Sequence, residues 1–176
     1  PSLKRIVNGR PVVHLDGPAG TQVPQSVIDA MMHVYTNSNA NTHGQFVTSQ
    51  ETDQLIEHTR NQVAALLGAE GGHTISFGAN MTSLNFVLAN AITKSLQPGD
   101  EILITQLDHE ANRGPWLNQR RHGIVVREVL LEEDGSLDYA DLEKKISEKT
   151  RVIAIGLASN IFGTVNEIDR VRQLAY

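Results

Sequence analysis

Apolar residues recur along the chain with spacings that alternate between extended and helical. A short strand is predicted over residues 12–15, and Pro24 then begins a helix, because proline suits a first helical turn. After a loop rich in Asn and Gly, Thr48 and Glu51 predict a capping box at the start of a second helix. Gly68 ends that helix.

From residue 73 onward, strands and helices alternate regularly. Apolar strands separated by helices favour a parallel sheet that is covered on both faces. We therefore expect an α/β fold, a three-layer arrangement of a mostly parallel sheet with helices on both faces. The predicted strands are 73–77, 101–105, 124–131 and 151–157, and the predicted helices are 81–96, 110–122, 138–148, capped by Asp138, and 167–176.

Composition and charge narrow the classes of function. The 176 residues carry a formal net charge of −5, and their Lys and Arg side chains are scattered, which argues against a nucleic-acid groove. The apolar stretches are too short to span a bilayer, so we expect a soluble chain without a membrane segment. The absence of cysteine excludes thiolate metal sites within these residues and fits a cytoplasmic protein.

The two ends of the sequence lead us to expect a fragment. The first residue is Pro1 rather than an initiator methionine, and the last, Tyr176, falls inside a predicted helix before any C-cap signal.

Ligands of open α/β sheets bind beyond the carboxyl ends of the strands, so the loops that follow strands are the places to search. In the first unusual loop, small residues after Phe77 lead into a helix. The amides of Asn80, Met81 and Thr82 would be free donors that attract a phosphate. The alternative is an N-cap turn without a ligand. Neither glycine-rich nucleotide motif is present.

The second loop contains Asp108, His109 and Glu110 in succession. Neighbours on a helix point about 100° apart, so the three cannot converge on one metal, and we predict no metal site. Asp108 as a cap and Glu110 beside the helix dipole would explain the carboxylates. His109 could stack on an aromatic cofactor or serve a structural or surface role.

The third loop carries Asn160 just beyond a buried strand. Its carboxamide offers two donors and one acceptor to a ligand, or it caps the backbone of its own loop.

Taken together, seven segments stand in the order found in one family. The chain resembles the cysteine desulfurase-like branch of the class V aminotransferases, which are fold type I enzymes that use pyridoxal phosphate. The similarity extends from about Val12 to the last residue, over segments 15–21, 41–44, 77–82, 98–101, 108–112, 133–138 and 159–164.

The resemblance implies specific roles for eight residues. Ala79, Asn80 and Met81 match the phosphate-binding turn, His109 matches the imidazole that stacks on the pyridine ring, and Asn160 matches the Asn that contacts the phenolic oxygen. The residues expected near the substrate entrance are Ala19, Gly20 and His43.

The resemblance also implies the domain organisation. Residues 1–176 correspond to the N-terminal portion of an incomplete large domain. Within it, 1–45 form an N-terminal arm, a helix and the entrance loop, and 46–176 form the alternating core. The implied parent enzyme is a homodimer that acts on a small-molecule amino acid.

The family's pyridinium-pairing Asp, its Schiff-base Lys and its carboxylate-binding Arg have no match here, so the Schiff-base lysine would lie beyond Tyr176. We therefore expect the fragment alone to be inactive. Solvated positions are expected for all five lysines, which are Lys4, Lys94, Lys144, Lys145 and Lys149.

Three departures from the family pattern leave the reaction open. Asn80 and Met81 replace hydroxyl residues, Glu110 replaces a second His, and Gly44 replaces an Arg. Desulfuration, transamination and a related lyase or epimerase step all stay open. A Rossmann-like nucleotide-binding module without catalysis and a structural or interaction domain are the alternatives from other classes.

Overall fold

The computed structural model describes residues 2–17 and 20–175. The chain divides into two compact units, Pro1–Phe77 and Gly78–Tyr176. The boundary between these units differs from the predicted division between residues 45 and 46. That division was implied by the family resemblance, and it stays a prediction.

The first unit opens with a 3-10 turn, Ser2–Lys4, and a hairpin of β1 (Ile6–Val7) and β2 (Arg10–Pro11). Asn8 and Gly9 connect its strands with φ values of 52° and 76°, as a two-residue hairpin turn requires. The strand predicted over 12–15 is wrong. The Asn-Gly turn directs strand pairing to the residues before 12, and the amide of Val12 makes the last bond, to the Arg5 carbonyl at 2.9 Å.

Two helices make up most of the regular secondary structure of this unit. α1 (Gln25–Asn37) begins one residue later than predicted, with Pro24 as its N-cap, and α2 (Val47–Leu67) ends as predicted at Gly68, whose φ is 65°. The capping box is wrong, because α2 begins directly after Phe46 and Phe46 offers no side-chain cap.

The strand predicted over 73–77 is also wrong. Residues Gly72–Thr74 form a 3-10 turn, held to α2 by a bond from the Gly72 amide to the Asn61 side chain at 3.1 Å. No strand within 2–17 and 20–175 pairs with residues 75–77, so their extended backbone is not part of a sheet.

The second unit contains a three-stranded sheet and four α-helices. The strand order is β4-β3-β5 and both pairings are parallel. In chain order the elements are α3 (Met81–Thr93), β3 (Glu101–Thr105), α4 (Glu110–Leu117) with a 3-10 extension (Asn118–His122), β4 (Val125–Val129), α5 (Tyr139–Lys145), β5 (Thr150–Ile153) and α6 (Ile168–Leu174).

Hydrophobic cores cover both faces of this sheet. Successive residues of a strand point to opposite faces, so Ile102 and Ile104 pack in one core while Leu103 packs in the other. The first core includes Ala89 of α3 and Trp116 of α4, and the second includes Leu142 of α5 and Val171 of α6. The predicted α/β fold with helices on both faces of a parallel sheet is therefore confirmed.

The last strand is shorter than predicted. The amide of Ala154 still bonds to Leu103, but the Gly156 amide turns to the Asp108 carboxylate, and the Leu157 carbonyl accepts from Asn166. Residues 154–157 therefore form a loop rather than the end of a strand.

One lysine departs from the expected pattern. Lys145 donates to the Glu128 carbonyl at 2.6 Å and to Asp141 at 2.5 Å, so the solvated position predicted for it is wrong. The other four, Lys4, Lys94, Lys144 and Lys149, are exposed as expected.

Candidate functional site

A cavity of about 210 Å³ in the second unit brings together residues from all three loops singled out in the sequence. Met81 begins α3, His109 precedes α4, and Asn160 follows β5, and all three line this cavity. Asp108, Asn112, Gly156 and Asn166 also line it. The cavity lies where the chain leaves β3 and β5, which is the usual ligand position in a parallel sheet.

The turn before α3 is built by Gly78 and Asn80. A Cβ on Gly78 would lie 2.5 Å from Cδ2 of Leu84, so any other residue here would require the Leu84 side chain to move. Asn80 Oδ1 accepts from the Ser83 amide at 2.9 Å, which makes Asn80 the N-cap of α3.

The cap uses only Oδ1 of Asn80, so Asn80 Nδ2 and main-chain amides are the ligand donors left at this helix start. The amides of the first helical turn, including those of Met81 and Thr82, have no acceptor within their own helix. Met81 reaches the cavity, whereas Ala79 and Asn80 are exposed and do not line it. Their predicted phosphate contact stays a prediction.

His109 caps α4 through its ring. Its Nδ1 accepts from the Ala111 amide at 3.0 Å, so the cap of α4 is His109 and not Asp108. This bond ties the ring to the first turn of α4 through Nδ1. The exposed imidazole is thereby held in one orientation at the cavity wall.

Asn160 lies on a turn that another residue organises. The hydroxyl of Ser159, which is buried, accepts from the amides of Ile161 and Phe162, each at 3.2 Å. Ala158 pairs with Val165 across the base of this turn. Within the described part of the chain, the Asn160 side chain has no hydrogen-bond partner, so its carboxamide is available at the cavity.

Sequence reasoning missed the polar residues that support these loops. Asp108 accepts from Thr105 Oγ1 at 2.5 Å and from Asn112 Nδ2 at 3.0 Å. Asn166, which is buried, donates to the Gly156 carbonyl at 2.7 Å. Only the i, i+4 spacing of Asp108 and Asn112 was a signal in the sequence, although Asp108 lies just before α4 and not on it.

The predicted substrate-entrance residues belong to the first unit. Gly20 is exposed, and Ala19 lies outside the described residues. His43 has a left-handed backbone, φ 66°, and its amide donates to Asp53 Oδ2 at 2.9 Å while its Nδ1 lies 3.5 Å from Asp53 Oδ1. His43 and Asp53 line a cavity of about 790 Å³ together with Arg60 and His73. The entrance role stays a prediction.

The described residues contain neither a metal-binding cluster nor a membrane-spanning helix. No cluster of three or more His, Asp or Glu side chains in residues 2–17 and 20–175 could hold a metal ion. No helix of the same ranges has the length and hydrophobicity to cross a membrane.

Comparison with known proteins gives consistent similarities. A cysteine desulfurase of Pectobacterium atrosepticum is 37% identical over 171 residues, which cover 96% of this chain and 42% of the relative. The crystal structure of the cysteine desulfurase CsdA from Escherichia coli matches with a TM-score of 0.80 and 31% identity, over 92% of this chain and 41% of that chain. An apo cysteine desulfurase from Thermococcus onnurineus matches with a TM-score of 0.85 and 28% identity, over 93% and 41% of the two chains.

The chain therefore spans about two fifths of the length of these relatives. The family model described as aminotransferase class-V matches residues 13–176, which is nearly the whole sequence. On this match, the chain belongs to the class V aminotransferase family.

Proposed function

We propose that the parent protein is a cytoplasmic, homodimeric enzyme that uses pyridoxal phosphate to act on an amino acid. The observation that carries this proposal is the single cavity to which Met81, His109 and Asn160 all contribute. Desulfuration, transamination and lyase or epimerase reactions all require this cofactor. The site therefore supports a pyridoxal-phosphate-dependent enzyme and not one particular reaction.

The groups around the cavity suit the cofactor. A phosphate would bind at the start of α3, where the Met81 and Thr82 amides and the helix dipole favour an anion. A flat pyridine ring would lie against the imidazole of His109, and the free carboxamide of Asn160 would donate to the phenolic oxygen attached to that ring. When bound, pyridoxal phosphate supplies an electron-withdrawing ring that stabilises negative charge at the substrate Cα.

The residues of this chain would bind pyridoxal phosphate and orient its ring. The bond from the Ala111 amide to Nδ1 of His109 holds the ring in place, so the stacking face would need no rearrangement on binding. Ser159 holds the turn that presents Asn160, which would limit the orientations that a bound ring can adopt.

We propose that the 176 residues alone do not turn over an amino acid. No lysine is among the described residues that line the cavity, and the amine of Lys145 is engaged by Glu128 and Asp141. L-cysteine is the first substrate to assay, because the similar proteins are cysteine desulfurases. With a thiol reductant present to release the sulfur, sulfide release should equal that of pyridoxal phosphate without protein, and release above this background would contradict the proposal.

Cofactor binding is tested by calorimetric titration of the chain with pyridoxal phosphate, pyridoxal and ATP. We expect pyridoxal phosphate to bind more tightly than pyridoxal, because only the former offers a phosphate to α3. Asn160→Ala should weaken binding, whereas Asn118→Ala, at the end of α4 and away from the cavity, should not. Tight binding of ATP without a preference for pyridoxal phosphate would instead favour the nucleotide-binding module.

The homodimer has its own support and test. On α3, Val87 and Leu88 are 68% and 49% exposed, which is apolar surface of the kind that partners cover. Size-exclusion chromatography with light scattering should give twice the 19.3 kDa mass of the chain. A mass of one chain at all concentrations would contradict dimerisation through these residues.

A further inference from the structure

The carboxylate of Asp108 joins three segments of the second unit. Thr105 at the end of β3 donates its hydroxyl at 2.5 Å, and Asn112 on α4 donates its amide group at 3.0 Å. The third donor is the main-chain amide of Gly156, at 2.7 Å. Gly156 lies 48 positions after Asp108 in the sequence. Hydrogen bonds to an ionised acceptor are shorter and stronger than neutral ones, so the carboxylate is a firm connection between the two loops.

The absence of a side chain at Gly156 leaves room for this contact. A Cβ at position 156 would lie 2.7 Å from Oδ1 of Asp108, closer than real Cβ contacts, so a side chain here would push the carboxylate away. Its carbonyl accepts from Asn166 Nδ2 at 2.7 Å, so Gly156 is held on both sides by side chains. Its position is therefore set by the two polar residues and not by β-sheet pairing.

Helix capping does not account for the Asp108 side chain. The acceptor that caps α4 is Nδ1 of His109, so the carboxylate is left to bridge the loops. The residue after Asp108 is His109, and the segment after Gly156 leads to Asn160 within four residues. The Asp108 side chain thus links the segment that carries the ring to the segment that carries the carboxamide.

We infer that Asp108 is a positioning residue of the cofactor site, which fixes His109 and Asn160 relative to one another through its bond to Gly156. The inference rests on the proposed function, because it assigns the purpose of this bridge to cofactor binding. It predicts that loss of the bridge costs affinity even where the fold is intact.

Three variants of the chain separate positioning from stability. Asp108→Ala removes all three bonds, whereas Asp108→Asn keeps an oxygen that can accept from Gly156 and Asn112. Asp138→Ala is the matched control, because Asp138 caps α5 by accepting from the Asp141 amide at 2.8 Å and does not line the cavity. Pyridoxal phosphate affinity is measured by calorimetry and unfolding by urea titration for each variant.

We expect Asp108→Ala to weaken pyridoxal phosphate binding by about tenfold, the size of effect seen when a residue that orients a ligand is lost. Asp108→Asn should recover most of that affinity. Asp138→Ala should lower stability and leave affinity unchanged. Wild-type affinity in Asp108→Ala would overturn the inference, as would an equal loss of affinity in Asp138→Ala.

A readout without cofactor distinguishes failure of this inference from failure of the proposed function. The backbone amide resonances of Gly156 and Asn160 are compared by NMR in the free wild type and in Asp108→Ala. We expect both to shift, and unchanged resonances would overturn the bridge itself. If both shift but the wild type does not bind pyridoxal phosphate, the bridge stands and its assignment to a cofactor site is rejected together with the proposed function.

Discussion

The imidazole of His109 accepts a hydrogen bond from the amide of Ala111 at 3.0 Å, so one side chain both caps a helix and borders the cavity. These roles can be separated, because asparagine is a good N-cap and has no ring. His109→Asn should keep the stability of the chain and lower its affinity for pyridoxal phosphate by about fivefold, whereas His109→Ala should also lose ~1 kcal/mol of stability.

Calorimetry and urea unfolding check this pair of variants. His122→Asn is the control, because His122 is exposed at the end of the 3-10 extension of α4 and does not line the cavity. Equal affinity of the wild type and His109→Asn for pyridoxal phosphate would show that the His109 ring does not contribute to the cofactor site.

Gly156→Ala should destabilise the chain by about 1–3 kcal/mol, because its Cβ would crowd the Asp108 carboxylate. In the Asp108→Ala background the same change should cost less, since the crowding atom is gone. Urea unfolding of both single variants and the double variant measures this coupling.

Gly163→Ala is a control for this comparison of single and double variants. Gly163 has open space around its Cα but a φ of 74°, so its cost comes from the backbone alone and should not depend on residue 108. If the stability losses of Gly156→Ala and Asp108→Ala are fully additive, residue 156 is not in close contact with the Asp108 carboxylate.

The acid side of the stability curve should depend on Asp141. Burial alone would raise the pKa of Asp141, but bonds from the Lys145 amine and the Leu130 amide outweigh it and lower the pKa below the ordinary value. A carboxyl with a depressed folded pKa contributes stability that is complete above its unfolded pKa, ~3.9, and is lost as pH falls through the folded pKa.

Thermal unfolding from pH 3 to pH 7 tests this dependence. Asp141→Asn should melt ~3 °C lower at pH 7, and the gap to the wild type should narrow below about pH 4. Asp169→Asn, at the start of α6, is the control, and a gap that is constant with pH would contradict the role of Asp141.

Ser49→Ala should destabilise the first unit by about 1–3 kcal/mol. The buried Ser49 hydroxyl accepts from the Gly44 amide at 2.7 Å and donates to the Asn41 carbonyl at 2.6 Å, and both groups would lose their partner. Ser26→Ala, on α1, should have little effect. Hydrogen exchange of the 41–44 amides provides a local readout, and unchanged protection there would contradict the prediction.

Features set by local chemistry were predictable from the sequence. The start of α1 after Pro24, the end of α2 at Gly68 and the cap of α5 at Asp138 each depend on residues within one turn. The bounds of β3, Glu101–Thr105, were also predicted, because a continuous apolar run marks a central strand.

Features that depend on distant partners were not predictable in this way. Residues 12–15 and 73–77 have the composition of strands, but a strand exists only where another strand lies alongside. The bond between Asp108 and Gly156 joins positions 48 apart, so no periodicity in the sequence reveals it. The three loops could be chosen from the sequence, whereas the side chains that hold them together could not.

The strand order β4-β3-β5 leaves two edges within the described part of the chain. Arg127 and Glu128 give β4 opposite charges, whereas β5 carries Arg151 as its one charged residue. Unpaired main-chain groups on an apolar outer strand are a template for another chain. Purified preparations of these 176 residues are therefore prone to associate through the outer edge of β5.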